Sequence, residues 1–512
     1  MNIKAVTNVV SALVVIIGLT ILACVGVSYI MGDSQKEILE LFLSSLIPIF
    51  IGSFFYYKTK PKDKKFQLGV REGFGIVALG WVIVSIFGAI PYVILADFYW
   101  YDAFFETMSG FSTTGASVID SNLLLSTGET LKSGIADLSR GLIFWRALTH
   151  WLGGMGIVVL SLAILPFLGI GGQKLYNAEV PGPTSDQLTP KIASSAKILW
   201  GAYLLLTIVE VIMLYAGGMS MYDSWCHSFA SLATGGFSTN QASVGGYDNA
   251  YFDGVITLFM FLAGANFILH YKALKGEIFN YFKDEEFKFY LAITVIATFS
   301  IVFSLMLKGD SIMTSAGLAV EPSFLKSLQY SSFQVVAIMT TTGFATADFN
   351  LWPAYATILL VALMFVGGCG GSTGGGMKYS RVLLLLKYGT YQVEKTLFPN
   401  LVSNIRLNKV RIEYSTLNKV LSFFFFFLII FFFVALTLTI VDGNTEMDFT
   451  TAMTASVASL GNIGPGLSNV GATCTYSWMS PISKIVLTLA MLLGRLELFT
   501  VLVLFLPKFW KK

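Results

Sequence analysis

The stretch FFETMSGFSTTGAS at 104–117 joins a short, moderately apolar run to a Thr-Thr-Gly turn, and the chain carries three comparable stretches. They read SFASLATGGFST at 228–239, SFQVVAIMTTTGFAT at 332–346 and TASVASLGNIGPGLS at 454–468. With Gly115, Gly236, Gly343 and Gly464 as reference positions, the separations are 121, 107 and 121 residues. The sequence therefore predicts four repeated units, each with a short helix, a turn and a glycine.

Longer apolar segments surround these stretches, and each is long enough to cross a bilayer, which takes about 20 helical residues. They fall at 9–30, 38–57, 74–95, 142–168, 196–216, 255–271, 289–307, 355–386, 420–441 and 485–506. The four short stretches cannot cross, and they suit helices that enter and leave on one face. We predict an all-α integral membrane protein in which two N-terminal helices precede four pseudo-fourfold TM–pore-loop–TM repeats around a central ion pathway. The predicted boundaries are 1–72 for the helix pair and 73–195, 196–288, 289–419 and 420–512 for the repeats.

Composition and charge agree with a membrane domain that has no room for a separate soluble one. Hydrophobic residues make up 55% of the chain and charged residues 12%, far from the usual balance of soluble proteins. If the chain starts inside, 25 of the 33 Lys and Arg fall in cytoplasmic stretches, as the positive-inside rule requires. Both termini are therefore predicted to be cytoplasmic. The basic stretches 58–72, 272–288 and 377–419 would face the cytoplasm.

The residue types of the four loops suit a dehydrated cation. Backbone carbonyl groups replace hydration water where glycine lets the chain turn them to one side, and a short helix directs its negative C-terminal end at the ion. Acidic residues near the loops would concentrate cations at the mouth or be ordinary solvated charges: Asp97, Asp102, Glu106, Asp223 and Asp348.

A second unusual stretch, GGCGGSTGGG at 367–376, lies inside the third repeat. Its glycines are Gly367, Gly368, Gly370, Gly371, Gly374, Gly375 and Gly376. Since each glycine costs a helix about 1 kcal/mol relative to alanine, we predict a mobile intramembrane loop below the four turns; close helix packing is the alternative. Arg495, inside the last span, would repel cations or pin this loop, and the competing interpretation is an ion pair with Glu497.

Other reactive side chains lack a functional pattern. Four cysteines have no metal-ligand or redox spacing, and nothing in the sequence pairs Cys226 with Cys474. His150 and His270 are interpreted as hydrogen-bonding groups between helices. No clustered acid, base, nucleophile or metal-ligand set is recognisable, so we predict that the chain is not an enzyme.

Together the four loops, the N-terminal helix pair, the glycine-rich stretch and GRLELFT at 494–500 resemble the Trk, Ktr and HKT superfamily of potassium transporters, most closely the bacterial Trk-type membrane subunit. The resemblance implies a potassium selectivity filter at Thr113, Thr114, Gly115, Thr234, Gly235, Gly236, Thr341, Thr342, Gly343, Asn462, Ile463 and Gly464. It also implies that Arg495 and the glycine-rich stretch form a gate. Family members that pass mainly sodium often carry serine in the first loop, so Gly115 favours potassium. The fourth loop departs from Thr-Gly, which implies only approximate fourfold symmetry.

The resemblance further implies a homodimer in the bacterial inner membrane, with one pore per subunit and a cytosolic, nucleotide-binding, TrkA-like regulatory ring. Potassium would be the transported ion, and any nucleotide would sit on the partner. The alternative is a proton- or sodium-coupled secondary transporter, which predicts inverted repeats and a midplane site. The four units here all enter with the same orientation, which favours the channel-like pathway.

Overall fold

The computed structural model describes residues 1–60, 69–156, 192–402 and 405–511, which are mostly α-helical. In chain order the helices are α1 Ile3–Met31, α2 Gln35–Thr59, α3 Val70–Gly88, α4 Ile90–Leu95, α5 Trp100–Phe111, α6 Arg140–Gly154, α7 Ile192–Ala216, α8 Met221–Leu232, α9 Ala250–Ala263, α10 Phe267–Leu274, α11 Asn280–Lys283, α12 Glu285–Lys308, α13 Phe324–Met339, α14 Ala354–Met364, α15 Tyr379–Leu397, α16 Tyr414–Asp442, α17 Phe449–Leu460, α18 Pro481–Arg495, α19 Phe499–Leu502 and α20 Pro507–Trp510. Two antiparallel hairpins pair β1 Ile312–Met313 with β2 Ala319–Val320, and β3 Arg406–Leu407 with β4 Val410–Arg411.

Six spans in the described ranges are long and apolar enough to cross a membrane: α1, α2, α3 with α4, α7, α12 and α16. The helices α1 and α2 form a hairpin. Gly32 ends α1 in the left-handed conformation, and Ser34 and Glu37 form a capping box that starts α2. Glycine lets these two helices approach closely, because a Cβ atom on Gly52 would lie 2.9 Å from the Ser11 carbonyl oxygen.

Two segments predicted as continuous spans are instead sharply bent. The segment 255–271 divides into α9 and α10 at 102°, and 485–506 divides at 111° after α18. At the first break the Asn266 side chain caps α10 by accepting from the Ile268 N–H. At the second, Glu497 and Leu498 both have positive φ angles. Hydropathy continues through both breaks, so it gave no sign of them.

Two further predicted spans, 142–168 and 355–386, are only partly helical in the described ranges. The segment 142–168 is helical as α6, and its residues beyond 156 lie outside the described ranges. The segment 355–386 is broken as predicted, because α14 ends at Met364 and α15 begins at Tyr379.

Each of the four short stretches forms a helix of 12 to 16 residues, namely α5, α8, α13 and α17. Side-chain oxygens cap three of them: Ser220 on α8, Ser323 on α13 and Asp448 on α17. Each short helix packs between two helices of its own unit, α5 between α3 and α6, α8 between α7 and α9, α13 between α12 and α14, and α17 between α16 and α18. The all-α membrane fold expected from the sequence is therefore present.

The units also follow one another around a closed circle. Each of these short helices contacts the helix that follows the short helix of the preceding unit: α8 contacts α6, α13 contacts α9, and α17 contacts α14. The circle closes because α5 of the first unit packs against α18 of the fourth. The four turns that follow the short helices are thereby brought to one place.

Candidate functional site

The four turns follow one backbone path. The first residue of each predicted triplet has a positive φ: Thr113 at 54°, Thr234 at 56°, Thr341 at 61° and Asn462 at 55°. The glycine that ends each triplet is also left-handed: Gly115 at 80°, Gly236 at 79°, Gly343 at 76° and Gly464 at 98°. Only glycine adopts that conformation without cost, which explains the residue type at the third position.

A repeated hydrogen bond fixes each turn to its short helix. The N–H of the middle residue donates to a carbonyl five residues earlier: Thr114 to Ser109 at 2.9 Å, Gly235 to Ala230 at 2.7 Å, Thr342 to Ala337 at 2.8 Å and Ile463 to Ala458 at 2.8 Å. The fourth loop keeps this geometry although its side chains differ, since the bond uses backbone atoms alone. The register chosen for Asn462, Ile463 and Gly464 is thus matched by the backbone.

The four turns close into a ring, which we call the glycine ring, made of Thr113–Gly115, Thr234–Gly236, Thr341–Gly343 and Asn462–Gly464. A Cβ atom on Gly115 would lie 2.1 Å from the Gly235 carbonyl oxygen. Equivalent atoms would lie 2.0 Å from the Thr342 oxygen at Gly236, 1.9 Å from the Ile463 oxygen at Gly343 and 2.6 Å from the Thr114 oxygen at Gly464. Backbone therefore meets backbone at all four junctions, and no side chain fits there.

Side chains strengthen the junction between the last and first turns. The Asn462 amide donates to the Thr114 hydroxyl at 3.0 Å and to the Met491 carbonyl at 2.8 Å. His150 supports the second turn, because its Nδ1 lies 2.7 Å from the Gly110 oxygen and its Nε2 accepts from the Phe237 N–H at 3.2 Å. His150 thus links α6 to two short-helix segments, in agreement with the predicted hydrogen-bonding role.

A cavity of about 80 Å³ opens on one side of the ring, and the third glycine of each turn lines it. Ser117, Ser238 and Arg146 also face this space. Arg146 therefore places a positive charge beside the ring, and that charge is engaged by neighbouring groups. The Arg146 Nε lies 2.7 Å from a Glu106 carboxylate oxygen, Nη1 donates to the Ser238 carbonyl at 3.0 Å, and the guanidinium covers the Phe237 ring at 3.5 Å.

Two of the acidic residues considered as a cation-attracting mouth, Glu106 and Asp102, are buried. Glu106 is fully buried and also accepts from the Val118 N–H at 3.0 Å. Asp102 is buried against Lys484 at 2.6 Å. Both carboxylates are committed to ion pairs behind the turns, so attraction of cations from solution is the wrong interpretation for them.

The Asp102–Lys484 pair connects α5 to α18 where the circle of units closes. Both side chains are less than 5% exposed, and Lys484 also donates to the Ser477 carbonyl at 2.9 Å. Removing one partner of a buried pair leaves an uncompensated charge, which costs about 3–5 kcal/mol. The pair therefore bears on the stability of the closed circle.

We expect Lys484→Met to lower the melting temperature of the detergent-solubilised protein markedly, because Asp102 then stays buried and unpaired. The double variant Lys484→Met with Asp102→Asn should recover most of that loss. Melting is followed by intrinsic fluorescence, and Lys308→Met, at an exposed pair with Asp310, serves as control. A double variant no more stable than Lys484→Met would contradict the pairing.

The glycine-rich stretch lies directly against the ring on the side away from the cavity. The Gly375 N–H donates to the Thr341 hydroxyl at 2.7 Å, and the Thr373 hydroxyl donates to the Leu232 carbonyl at 2.9 Å. A Cβ atom on Gly375 would lie 2.6 Å from the Gly461 carbonyl oxygen. The stretch thus contacts the second, third and fourth units at once, and the predicted break in the helix is confirmed.

Arg495 holds this stretch through carbonyl groups. Nη1 donates to the Thr373 oxygen at 2.7 Å, while Nη2 donates to the Gly153 oxygen at 2.5 Å and the Gly154 oxygen at 2.9 Å. Glu497 instead pairs with Arg381 of α15. The contacts of Arg495 fit the interpretation that it pins the loop. The alternative, an ion pair between Arg495 and Glu497, is not formed, because Glu497 pairs with Arg381.

Three further residues also secure the stretch. One Glu286 carboxylate oxygen accepts from the Gly370 N–H at 2.7 Å and from the Ser380 N–H at 2.8 Å. The buried Lys378 ammonium donates to the Gly374 carbonyl. Asn266 adjoins Gly371. Lys378 lies two positions after the last glycine and was recognisable as a charge at membrane depth, whereas Glu286 precedes its predicted span and carried no such signal.

The described ranges contain neither a cluster of metal-ligating side chains nor a disulfide. These residues contain no group of three or more His, Cys, Asp or Glu side chains that could hold a metal ion. All four cysteines are free; Cys226 is buried and Cys474 exposed. A backbone carbonyl ring is instead suited to a weakly held monovalent cation.

Comparisons with known proteins agree with this architecture. The TrkH family profile, described as cation transport protein, matches residues 40–512. The Trk system potassium uptake protein TrkH of Escherichia coli K12 is 36% identical over 517 residues and 100% of both chains, and TrkG of the same strain is 31% identical over 93% of each. The crystal structure of the potassium transporter TrkH from Vibrio parahaemolyticus superposes with a TM-score of 0.84 at 32% identity, covering 100% of both chains. The chain therefore belongs to the TrkH family of cation transport proteins.

Proposed function

We propose that this protein takes up potassium across the bacterial inner membrane through a selective, channel-like pathway. The observation that carries the proposal is the glycine ring, in which four backbone segments of equal geometry close on one another. Potassium uptake is also what the names of the related Trk proteins state.

In this proposal the glycine ring is the selectivity filter. The carbonyl groups of Thr114, Gly235, Thr342 and Ile463 replace water around the ion, together with those of the flanking ring residues. The helices α5, α8, α13 and α17 point their negative C-terminal ends toward it. Because the ligands are neutral and the glycines exclude side chains, the site is weak enough for ions to leave again.

The glycine-rich stretch and Arg495 form the gate in this proposal. Gly375 of this stretch is bonded to the Thr341 hydroxyl, and Arg495 is bonded to the nearby Thr373. A movement of the stretch would therefore act directly on the filter. The protein would act as a homodimer, and a cytosolic, nucleotide-binding, TrkA-like ring would move the gate from the cytoplasmic side, where both termini are proposed to lie. The basic stretches 272–288 and 377–419 would be the docking surface for that ring. The proposal also includes the unit boundaries at 73, 196, 289 and 420.

The test is the reversal potential of proteoliposomes that contain the purified chain, with potassium opposed by sodium. A potential that follows the potassium gradient supports the channel-like pathway. If current is absent and uptake requires an imposed proton or sodium gradient, the coupled transporter replaces it. Protein-free liposomes measure the leak.

A further inference from the structure

A long apolar groove lies on the lipid-facing side of the N-terminal helix pair, and no residue of the glycine ring lines it. Val6, Val10 and Val14 of α1 line it, Phe55 of α2 and Ile83 of α3 flank it, and its volume is about 420 Å³. The surface within it is almost wholly apolar. Such a groove between spans is filled by hydrocarbon in a bilayer.

The groove has the length of one membrane leaflet. From Ile3 to Val14 the helix rises about 17 Å at 1.5 Å per residue, and half of a bilayer core of about 30 Å is about 15 Å. Trp510 also lines the groove, and the carbonyl of the adjoining Lys511 is bonded to Arg71, next to the Glu72 partner of Asn2. An aromatic side chain here suits the boundary between hydrocarbon and headgroups. The end near Ile3 is therefore the headgroup end.

Four chain segments meet at this end and are fixed to one another. The Asn2 N–H donates to the Glu72 carboxylate at 2.8 Å, and Arg71 Nη1 donates to the Lys511 carbonyl at 2.8 Å. The Asn8 amide donates to the Tyr56 carbonyl of α2 at 2.8 Å. The starts of α1 and α3, the end of α2 and the C-terminal helix α20 thus share one rim.

That rim is basic. Lys4, Lys58, Arg71, Lys508 and Lys511 lie on these segments and are all exposed. Glu72, the acidic group bonded at the rim, accepts from Asn2. A phosphate group at this level would meet several cations, each worth about 1 kcal/mol near an anionic surface.

We propose that this groove is a binding site for an anionic phospholipid, with one acyl chain between α1, α2 and α3 and the phosphate headgroup on the basic rim. The apolar lining and the leaflet length select the acyl chain, and the five cations select the anionic headgroup. The site secures the N-terminal helix pair and the C-terminal helix to each other through a lipid.

The test is lipid retention by the purified full chain in detergent, counted by native mass spectrometry after addition of phosphatidylglycerol or phosphatidylcholine with matched acyl chains. The wild type should prefer phosphatidylglycerol. The triple variant Lys4→Gln, Arg71→Gln, Lys508→Gln should lose this preference by about a hundredfold, the product of roughly fivefold for each surface charge. The control Lys395→Gln, Lys409→Gln, Lys419→Gln removes three exposed charges elsewhere and should retain it.

A second variant tests the groove itself. Ile51 lines it, so Ile51→Trp should fill the space and release both lipids, whereas Ile296→Trp on the exposed side of α12 should release neither. Equal retention of the two lipids by the wild type would overturn the proposal. So would an equal loss in the two charge variants.

Discussion

A Gly115→Ser variant is expected to lose most of its discrimination between potassium and sodium while still conducting. The glycine has φ near +80°, and a Cβ atom there would lie 2.1 Å from the Gly235 carbonyl oxygen, one of the proposed ligands. Relief of that clash must move the carbonyl or widen the ring. A disturbance of about 1.4 kcal/mol in relative ion binding suffices for about a tenfold loss of preference. In proteoliposomes the reversal potential should therefore move from the potassium value toward zero.

The matched control is Gly128→Ser in the same unit. Gly128 has φ of +84°, but no atom lies within 4 Å of its added Cβ, so this variant carries the same backbone strain without touching the ring. Its reversal potential should remain that of the wild type. If Gly115→Ser also keeps the wild-type potential in well-folded protein, the first turn is not a filter element.

The turns were predictable because their geometry depends on residue type along the chain. Gly115 and its three equivalents combine a positive φ with a backbone contact that leaves no room for a Cβ atom. This combination requires glycine, so the repeat is visible in sequence as four glycines at similar spacing. The divergent Asn462 and Ile463 follow the same backbone path, since the repeated hydrogen bond uses no side-chain atom. Because each turn depends on residues next to it in the chain, its position could be read from the sequence.

The broken spans were not predictable because distant segments stabilise them. The carbonyl of Gly264, at the bend between α9 and α10, accepts from the Cys369 N–H at 2.8 Å. At the other bend, Glu497 pairs with Arg381, 116 residues away. The hydropathy of a segment indicates whether it can lie in the membrane. It does not show where the helix breaks, because the freed backbone groups are hydrogen-bonded by a loop distant in sequence.

The same reason explains why the sequence left the role of the acidic residues open. Asp102 and Lys484 are 382 positions apart, and they meet only because the fourth unit packs against the first. Before the circle closes, an acidic residue beside a predicted pore loop is equally compatible with an attracting mouth and with a structural pair. Burial decides between them, and burial follows from the arrangement of all four units.

Arg495→Ala is expected to raise the basal potassium flux of the purified chain, in the absence of any regulatory partner, by at least about tenfold. The guanidinium donates to Thr373 in the glycine-rich stretch and to Gly153 and Gly154 in the first unit. It therefore ties the proposed gate to a neighbouring helix. A hydrogen bond from a charged group contributes about 1.5–3 kcal/mol, so loss of even one bond alters the closed population about tenfold. Flux is measured as rubidium or potassium uptake into proteoliposomes.

Arg495→Lys separates pinning from electrostatic repulsion, because it keeps the charge and removes the planar fork that reaches carbonyl groups on two segments. If the arginine closes the pathway by pinning the loop, the lysine variant should leak nearly as much as Arg495→Ala. If a positive charge alone repels the cation, the lysine variant should remain as closed as the wild type, and pinning would be refuted. We expect the first result, since the contacts run to the backbone of both segments, and this geometry needs two nitrogen atoms held in one plane.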